Sequence, residues 1–212
     1  MKITKYPQSC AIVESEGTKI LIDPCKVKFD ESFLKDWANV DAIFITHKHS
    51  DHCYADAVAK LNLPVFSTQE VQDANPNLKV NIVKEGDVLK VGSLKVEVVK
   101  AVHGYVLASG EIKENVGFIV DDGKTRVYFT SDTIRFKNDY KADVLFADIT
   151  AFDASMNLWG ATATYAETGA KHLVVAHQDA GKMIYDKSQI ENYLTEQGIN
   201  YIIPEIGETF EV

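Results

Sequence analysis

Three cysteines in 212 residues, Cys10, Cys25 and Cys53, are too few and too scattered to form the disulfide framework of a secreted domain. Their odd number fits reduced thiols, so a cytoplasmic setting is expected. No stretch approaches 18 consecutive apolar residues, and Met1–Pro7 carries no apolar leader core, so neither a membrane helix nor secretion is indicated. Basic residues are also scarce: 22 Lys and Arg stand against 31 Asp and Glu, a net charge of −9 with a pI near 5.1. A groove for nucleic acid needs clustered Lys and Arg, so nucleic acid is not an expected partner. Only five prolines and twelve glycines occur, and no low-complexity tract, charge block or short-period repeat divides the chain. With 46% hydrophobic and 25% charged residues, the composition suits one core and a single domain over 1–212.

Histidine is rare as well, six in all, yet three of the six fall in the stretch Ile43-Phe-Ile-Thr-His-Lys-His-Ser-Asp-His52. His47, His49, Asp51 and His52 put four metal-ligand side chains within six residues. The run Ala42–Thr46 before them is apolar, β-branched and aromatic, and reads as a buried strand; Asp51–Leu61 after them has helical spacing. The cluster therefore occupies a strand-to-helix turn, an anchored loop of the kind that carries function. Imidazoles with a carboxylate suit zinc, manganese or iron, whereas calcium and magnesium prefer oxygen alone. Four donors exceed what one ion usually takes from one loop. Spacing i, i+2 aims two histidines at one ion, and i+4, i+5 aims Asp51 and His52 at a neighbour, so two metals are the natural reading. The plainer reading is a solvated polar loop or a single adventitious ion. Cys53 adjoins His52 and thiolates bind zinc, but a buried small apolar role is its default.

Outside the cluster, His103 ends the alternating strand Leu94–Val102, His177 ends the apolar run Leu173–Ala176, and Asp132 ends Arg126–Ser131. Ligand-bearing loops at several strand ends can converge on one edge of a layered fold. His172 precedes the strand that delivers His177 and reads as surface or structural.

This ordered pattern, His-x-His-x-Asp-His followed by an isolated His, an isolated Asp and a last His, resembles the metallo-β-lactamase fold superfamily. Ile20-Leu-Ile-Asp23-Pro24, the early strand Gln8–Val13, the turn Ser131-Asp-Thr133 and the late Gly207-Glu-Thr209 extend the likeness from Lys2 to Val212. It is most similar to the small cytoplasmic metal-dependent hydrolases that include L-ascorbate-6-phosphate lactonase-like proteins. The resemblance implies an α/β (α+β) fold, a four-layer αββα sandwich of two mixed sheets flanked by helices. It implies a first metal held by His47, His49 and His103, a second held by Asp51, His52 and His177, and Asp132 bridging them, with Asp51 and Asp132 counted as catalytic. Asp23 would be a structural residue beneath the loop, fixing a histidine by a hydrogen bond. Two divalent ions, zinc first with manganese or iron as alternatives, would stand roughly 3.5 to 4 Å apart and generate a bridging hydroxide that cleaves an ester, lactone, thioester or phosphodiester. The other readings are a non-catalytic metal-binding relative and an iron-based redox member; the second normally has a fused flavin domain and a carboxylate where His49 stands. Three departures from the family occur: Ser131 replaces a glycine, Cys53 follows His52, and Ser9-Cys10 replaces an early Gly-His or His-Ser pair.

The expected partner is a small-molecule substrate, anionic substrates being acceptable because two dications invert the local sign, with homo-oligomers left open. Tyr105, Arg135, Trp159, Gln178 and Asp179 stand on loops that should face the metals, each with the plainer reading of loop surface or core filler. Further strands are expected at Lys19–Asp23, Pro64–Ser67, Leu78–Val83, Val88–Val91, Val116–Val120, Val144–Asp148, Tyr201–Ile203 and Glu208–Val212. Helices are expected at Ser32–Ala38, Tyr54–Leu61, Thr68–Ala74, Thr162–Gly169 and Lys187–Gln197, the last started by Ser188. Asp121-Asp-Gly-Lys124 reads as a hairpin turn, and the boundary between two similar halves is placed near Glu111–Asn115.

Overall fold

Runs such as Ile20-Leu-Ile22 and Val144-Leu-Phe-Ala147 are apolar at every position because the strands they form are covered on both faces. In the computed structural model, which describes residues 1–106, 110–150, 154–178 and 185–212, these strands belong to two stacked sheets. The first comprises β1 (Lys2–Lys5), β2 (Ala11–Ser15), β3 (Thr18–Ile22), β4 (Ala42–Phe44), β5 (Val65–Ser67) and β6 (Val80–Ile82). The second comprises β7 (Val88–Val91), β8 (Leu94–Lys100), β9 (Val116–Asp121), β10 (Arg126–Phe129), β11 (Val144–Asp148), β12 (His172–Ala176) and β13 (Tyr201–Ile202). The last strand, β14 (Thr209–Glu211), returns to the first sheet beside β1. The orders are β14-β1-β2-β3-β4-β5-β6 and β7-β8-β9-β10-β11-β12-β13. Read in this direction, each sheet has three antiparallel pairings followed by three parallel ones. The halves therefore repeat one plan, in which the end of β3 corresponds to that of β10 and the end of β5 to that of β12. The carboxyl ends of the parallel strands are where a layered α/β fold places its ligands.

Alternation within the strands divides the core. Ile20, Ile22 and Phe44 meet Val96, Phe118, Phe129 and Phe146 between the sheets. Leu21, Ile43 and Ile45 point the other way, onto Trp37, Val58 and Val71 of α1 (Phe33–Trp37), α2 (Ala55–Leu61) and α3 (Gln69–Ala74). Leu145, Ala147, Leu173 and Val175 meet Leu158, Ala161, Ile190 and Leu194 of α4 (Leu158–Thr168) and α5 (Lys187–Glu196). Helix, sheet, sheet and helix make the four layers, as expected.

Four details differ from the sequence reading. β1 was not foreseen: four residues with two lysines look like surface, yet Lys5 is buried. α4 begins at Leu158 rather than Thr162, because the Asn157 side chain accepts the Gly160 N–H at 2.8 Å and caps a turn that glycine disguises. α5 is started by Asp186, not Ser188, in a capping box with Gln189. The chain changes sheets between Ile82 and Val88, not near 111–115. Residues 111–115 merely connect two strands of the second sheet.

Candidate metal centre

The loop after β4 starts from a buried scaffold. Asp23, just past β3 with φ of 48°, accepts the Thr46 N–H at 2.8 Å and the Thr46 hydroxyl at 2.9 Å, and meets His52 Nδ1 at 2.8 Å. His52 is thus oriented with Nε2 toward the centre, the arrangement expected of a carboxylate behind a ligand. His47 is fully buried; its Nδ1 lies 3.0 Å from Thr46 Oγ1 and its Nε2 lies 3.1 Å from His49 Nδ1. From the second sheet, Asp132 follows Ser131, whose φ of 62° explains why glycine would be at home there. Serine tolerates it with help: Ser131 Oγ donates to Asn115 Oδ1 and Asn115 Nδ2 donates to the Asp132 carbonyl, both at 2.7 Å. His103 Nδ1 is 2.6 Å from the Gly104 carbonyl, leaving Nε2 for the centre.

All seven residues converge. Among the described residues three groups place one donor atom each within 4.8 Å of the others: His47, His49 and His103; His47, His52 and Asp132; Asp51, His52 and His177. Asp132 Oδ2 lies 3.5 Å from His52 Nε2, 3.7 Å from His103 Nε2 and 3.7 Å from His177 Nε2, and Asp51 Oδ2 lies 3.3 Å from His177 Nε2. Among the described residues, His49 Nε2, His52 Nε2, His103 Nε2 and Asp132 Oδ1 are buried with no hydrogen-bond partner. Buried polar atoms are nearly always satisfied, and unpartnered atoms on four residues of this imidazole-and-carboxylate cluster fit metal ions. Burial, with His52 and His103 nearby, holds His47 well below its ordinary value, so it is a neutral donor. Burial alone would raise Asp51 and Asp132, but nearby histidines outweigh it and keep both ionised.

The family described as the beta-lactamase superfamily domain matches residues 2–177. The chain belongs to the metallo-β-lactamase superfamily. A UPF0173 metal-dependent hydrolase of Carboxydothermus hydrogenoformans is 28% identical over 142 residues, 63% of this chain and 62% of that protein. The match thus spans about three fifths of that relative's length. Igni18, a metallo hydrolase of Ignicoccus hospitalis, superposes with a TM-score of 0.81 at 23% identity, covering 100% of this chain and 98% of that one. An isothiocyanate hydrolase from Delia radicum gut bacteria gives 0.81 at 17% identity, covering 100% and 99%. Both structural likenesses show the metallo-β-lactamase fold.

Around this superfamily's metal loop, Tyr105, Arg135, Trp159 and Gln178 do not line the cavity over the metal residues. Tyr105 is exposed; Arg135 pairs with Glu167 and lies 5.4 Å over the Trp159 ring, and Trp159 is exposed beside the groove between α4 and α5. Gln178 donates to the Ile149 carbonyl, and Asp179 lies outside the described residues. His172 opens β12 exposed, as read. Cys53 is buried in the core under the helices, and burial pushes its thiol and that of Cys25 up to about 12, so neither is a thiolate donor. Among the described residues, Ser50, Val106, Thr150 and Ala154 join the metal residues in lining the cavity of about 390 Å³. Sequence reading also missed Asp148, buried at the end of β11, whose carboxyl is pushed up to about 6 by burial and by the charge of Asp132. Its strand-end position was the available signal, the same one that exposed Asp132.

The histidine charges give a pH signature. Burial alone would lower His177, but the Asp132 charge and the bond to Asp51 overcome it and lift the imidazole from 6.5 to about 9; Asp132 and Asp23 likewise raise His52. A folded value above the unfolded one means that protonated His177 adds stability in full below pH 6.5, lost as pH climbs through about 9. The melting temperature of metal-free protein should therefore decline across that window. Metal loading should flatten the decline, since an ion replaces the proton. A metal-free profile already flat from pH 6.5 to 9 would contradict this electrostatic picture.

Proposed function

We propose that the chain is a dinuclear metal-dependent hydrolase that cleaves an ester, lactone, thioester or phosphodiester bond in a small molecule. The observation that carries this reading is the convergence of seven donor residues from both sheets, His47, His49, His103, Asp51, His52, His177 and Asp132, in three groups whose ligand atoms lie within 4.8 Å of one another beside a cavity. His47, His49 and His103 would hold one ion, Asp51, His52 and His177 the other, and Asp132, within 3.7 Å of histidines from both groups, would stand between them. Bound there, the ions supply an activated water and an electrophile for the oxygen of the bond to be cleaved. Zinc suits the imidazole-rich set best, with manganese or iron as alternatives.

The chain's own residues supply the rest. Asp23 and Thr46 hold the His52 and His47 rings, and the buried environment keeps His47 neutral as a donor. Val106 and Ala154 give the cavity an apolar wall, while Ser50 and Thr150 add hydroxyls for orientation. A cavity of about 390 Å³ takes a metabolite-sized molecule. The three cysteines are free and buried, which supports a cytoplasmic protein, and among the described residues no helix is long and apolar enough to cross a membrane.

The fold alone does not select hydrolysis over redox chemistry, so the test is a reaction. Purified protein is offered a generic lactone, a thioester and a phosphodiester, with and without chelator. Turnover of at least one that chelator abolishes and added metal restores is the expected result. No turnover on any, with oxygen consumption on addition of iron and reductant, would replace the proposal with the redox reading.

A further inference from the structure

His177 is delivered from the second sheet, whereas Asp51 and His52 come from the first, and one buried residue from a turn of the first sheet reaches His177. Gln8 sits in the tight turn between β1 and β2, where Tyr6 N–H donates to the Cys10 carbonyl at 2.8 Å and Cys10 N–H to the Pro7 carbonyl at 3.1 Å. It is fully buried and adopts φ of 58°, a left-handed conformation that glycine, asparagine or aspartate would accept more readily. His177 is left-handed too, at φ of 64°. The two strained residues clasp each other. His177 N–H donates to the Gln8 carbonyl at 3.2 Å, and the Gln8 amide nitrogen lies 3.1 Å from His177 Nδ1 and 3.3 Å from Nε2. The same Nε2 faces Asp51 at 3.3 Å and Asp132 at 3.7 Å. Backbone strain of this kind persists only where the surroundings over-determine it, and it gathers at functional sites.

We propose that Gln8 is the positioning residue that fixes the His177 imidazole for the second metal ion, an inference that rests on the dinuclear reading above. A ligating imidazole needs its other nitrogen held, and an amide offers both an N–H and a C=O. Nearly equidistant from the two ring nitrogens, the amide lies against the face of the imidazole and, with the His177 N–H bond to the Gln8 carbonyl, would hold the ring toward Asp51 and Asp132.

The test uses the full chain with cobalt(II) as the probe, reading ions per chain after dialysis, the affinity of each, and the cobalt absorption spectrum. Gln8→Gly removes the side chain while suiting the left-handed backbone. Gln8→Asn also suits that backbone but is one methylene short, so it reads the same contact should glycine loosen the turn. Gln8→Glu keeps the length and an acceptor oxygen. We expect two ions in the parent, a second ion weakened about 10–100-fold in the glycine and asparagine variants with an altered cobalt spectrum, and recovery in the glutamate variant. A purely structural role for Gln8 would leave the spectrum and the second affinity unchanged. Two ions bound equally well by the parent and both shortened variants would overturn the inference and spare the dinuclear reading; a single ion in the parent would overturn both.

Discussion

Asp132→Ala should cost more than about 100-fold in turnover and preferentially release the second ion. Losing even a hydrogen-bond partner behind a ligand costs about 10–100-fold, and Asp132 touches more than one group: its Oδ2 is within 3.7 Å of Nε2 on His52, His103 and His177. The electrostatic consequences have definite signs. Asp132 is the leading charge that raises His52 and His177, so both should titrate lower in the metal-free variant. It also pushes the Asp148 carboxyl upward, so Asp148 should fall below about 6. Metal titration followed by activity measurement checks the first expectation, and histidine proton resonances followed against pH check the second. A variant that still binds two ions and turns over at the parent rate would remove Asp132 from the centre.

His49→Ala should abolish hydrolysis and strip metal from the first group, while His172→Ala should do neither. The contrast controls for the loss of any imidazole. His49 is half-buried, its Nε2 has no partner among the described residues, and its Nδ1 meets His47 Nε2 at 3.1 Å. Removing it leaves His47 and His103 with too few neighbours to close a site, so an activity loss of at least about 100-fold is expected. His172 is exposed at the first position of β12, and its loss should change stability by less than about 0.5 kcal/mol. Equal effects of the two substitutions, measured as ions per chain and as turnover, would show that the assignment of roles is wrong.

The seven converging residues were legible because histidine is scarce in this chain and each isolated donor ends an apolar run. His103, Asp132 and His177 all follow strands, and strands of a two-sheet core are apolar enough to recognise. The layers were legible for the same reason, since Ile20-Leu-Ile22 and Val144–Ala147 carry no polar face. Gln8, Thr46, Asn115 and Asp148 were not. Their types occur throughout any sequence, and their importance comes from contacts across long separations: Asn115 with Ser131 and Asp132, Gln8 with His177. β1 escaped because a strand with two lysines alternates in a way that imitates surface. The sheet change near 83–87 escaped because leaving one sheet for another has no signature in residue type.

Two ions should share this cluster, and metal content per chain, on protein purified without added metal and again after saturation and dialysis, measures that directly. Close to two equivalents of zinc, manganese or iron are expected, with hydrolysis that follows their removal and return. One equivalent or fewer after saturation, with no turnover restored, would contradict it.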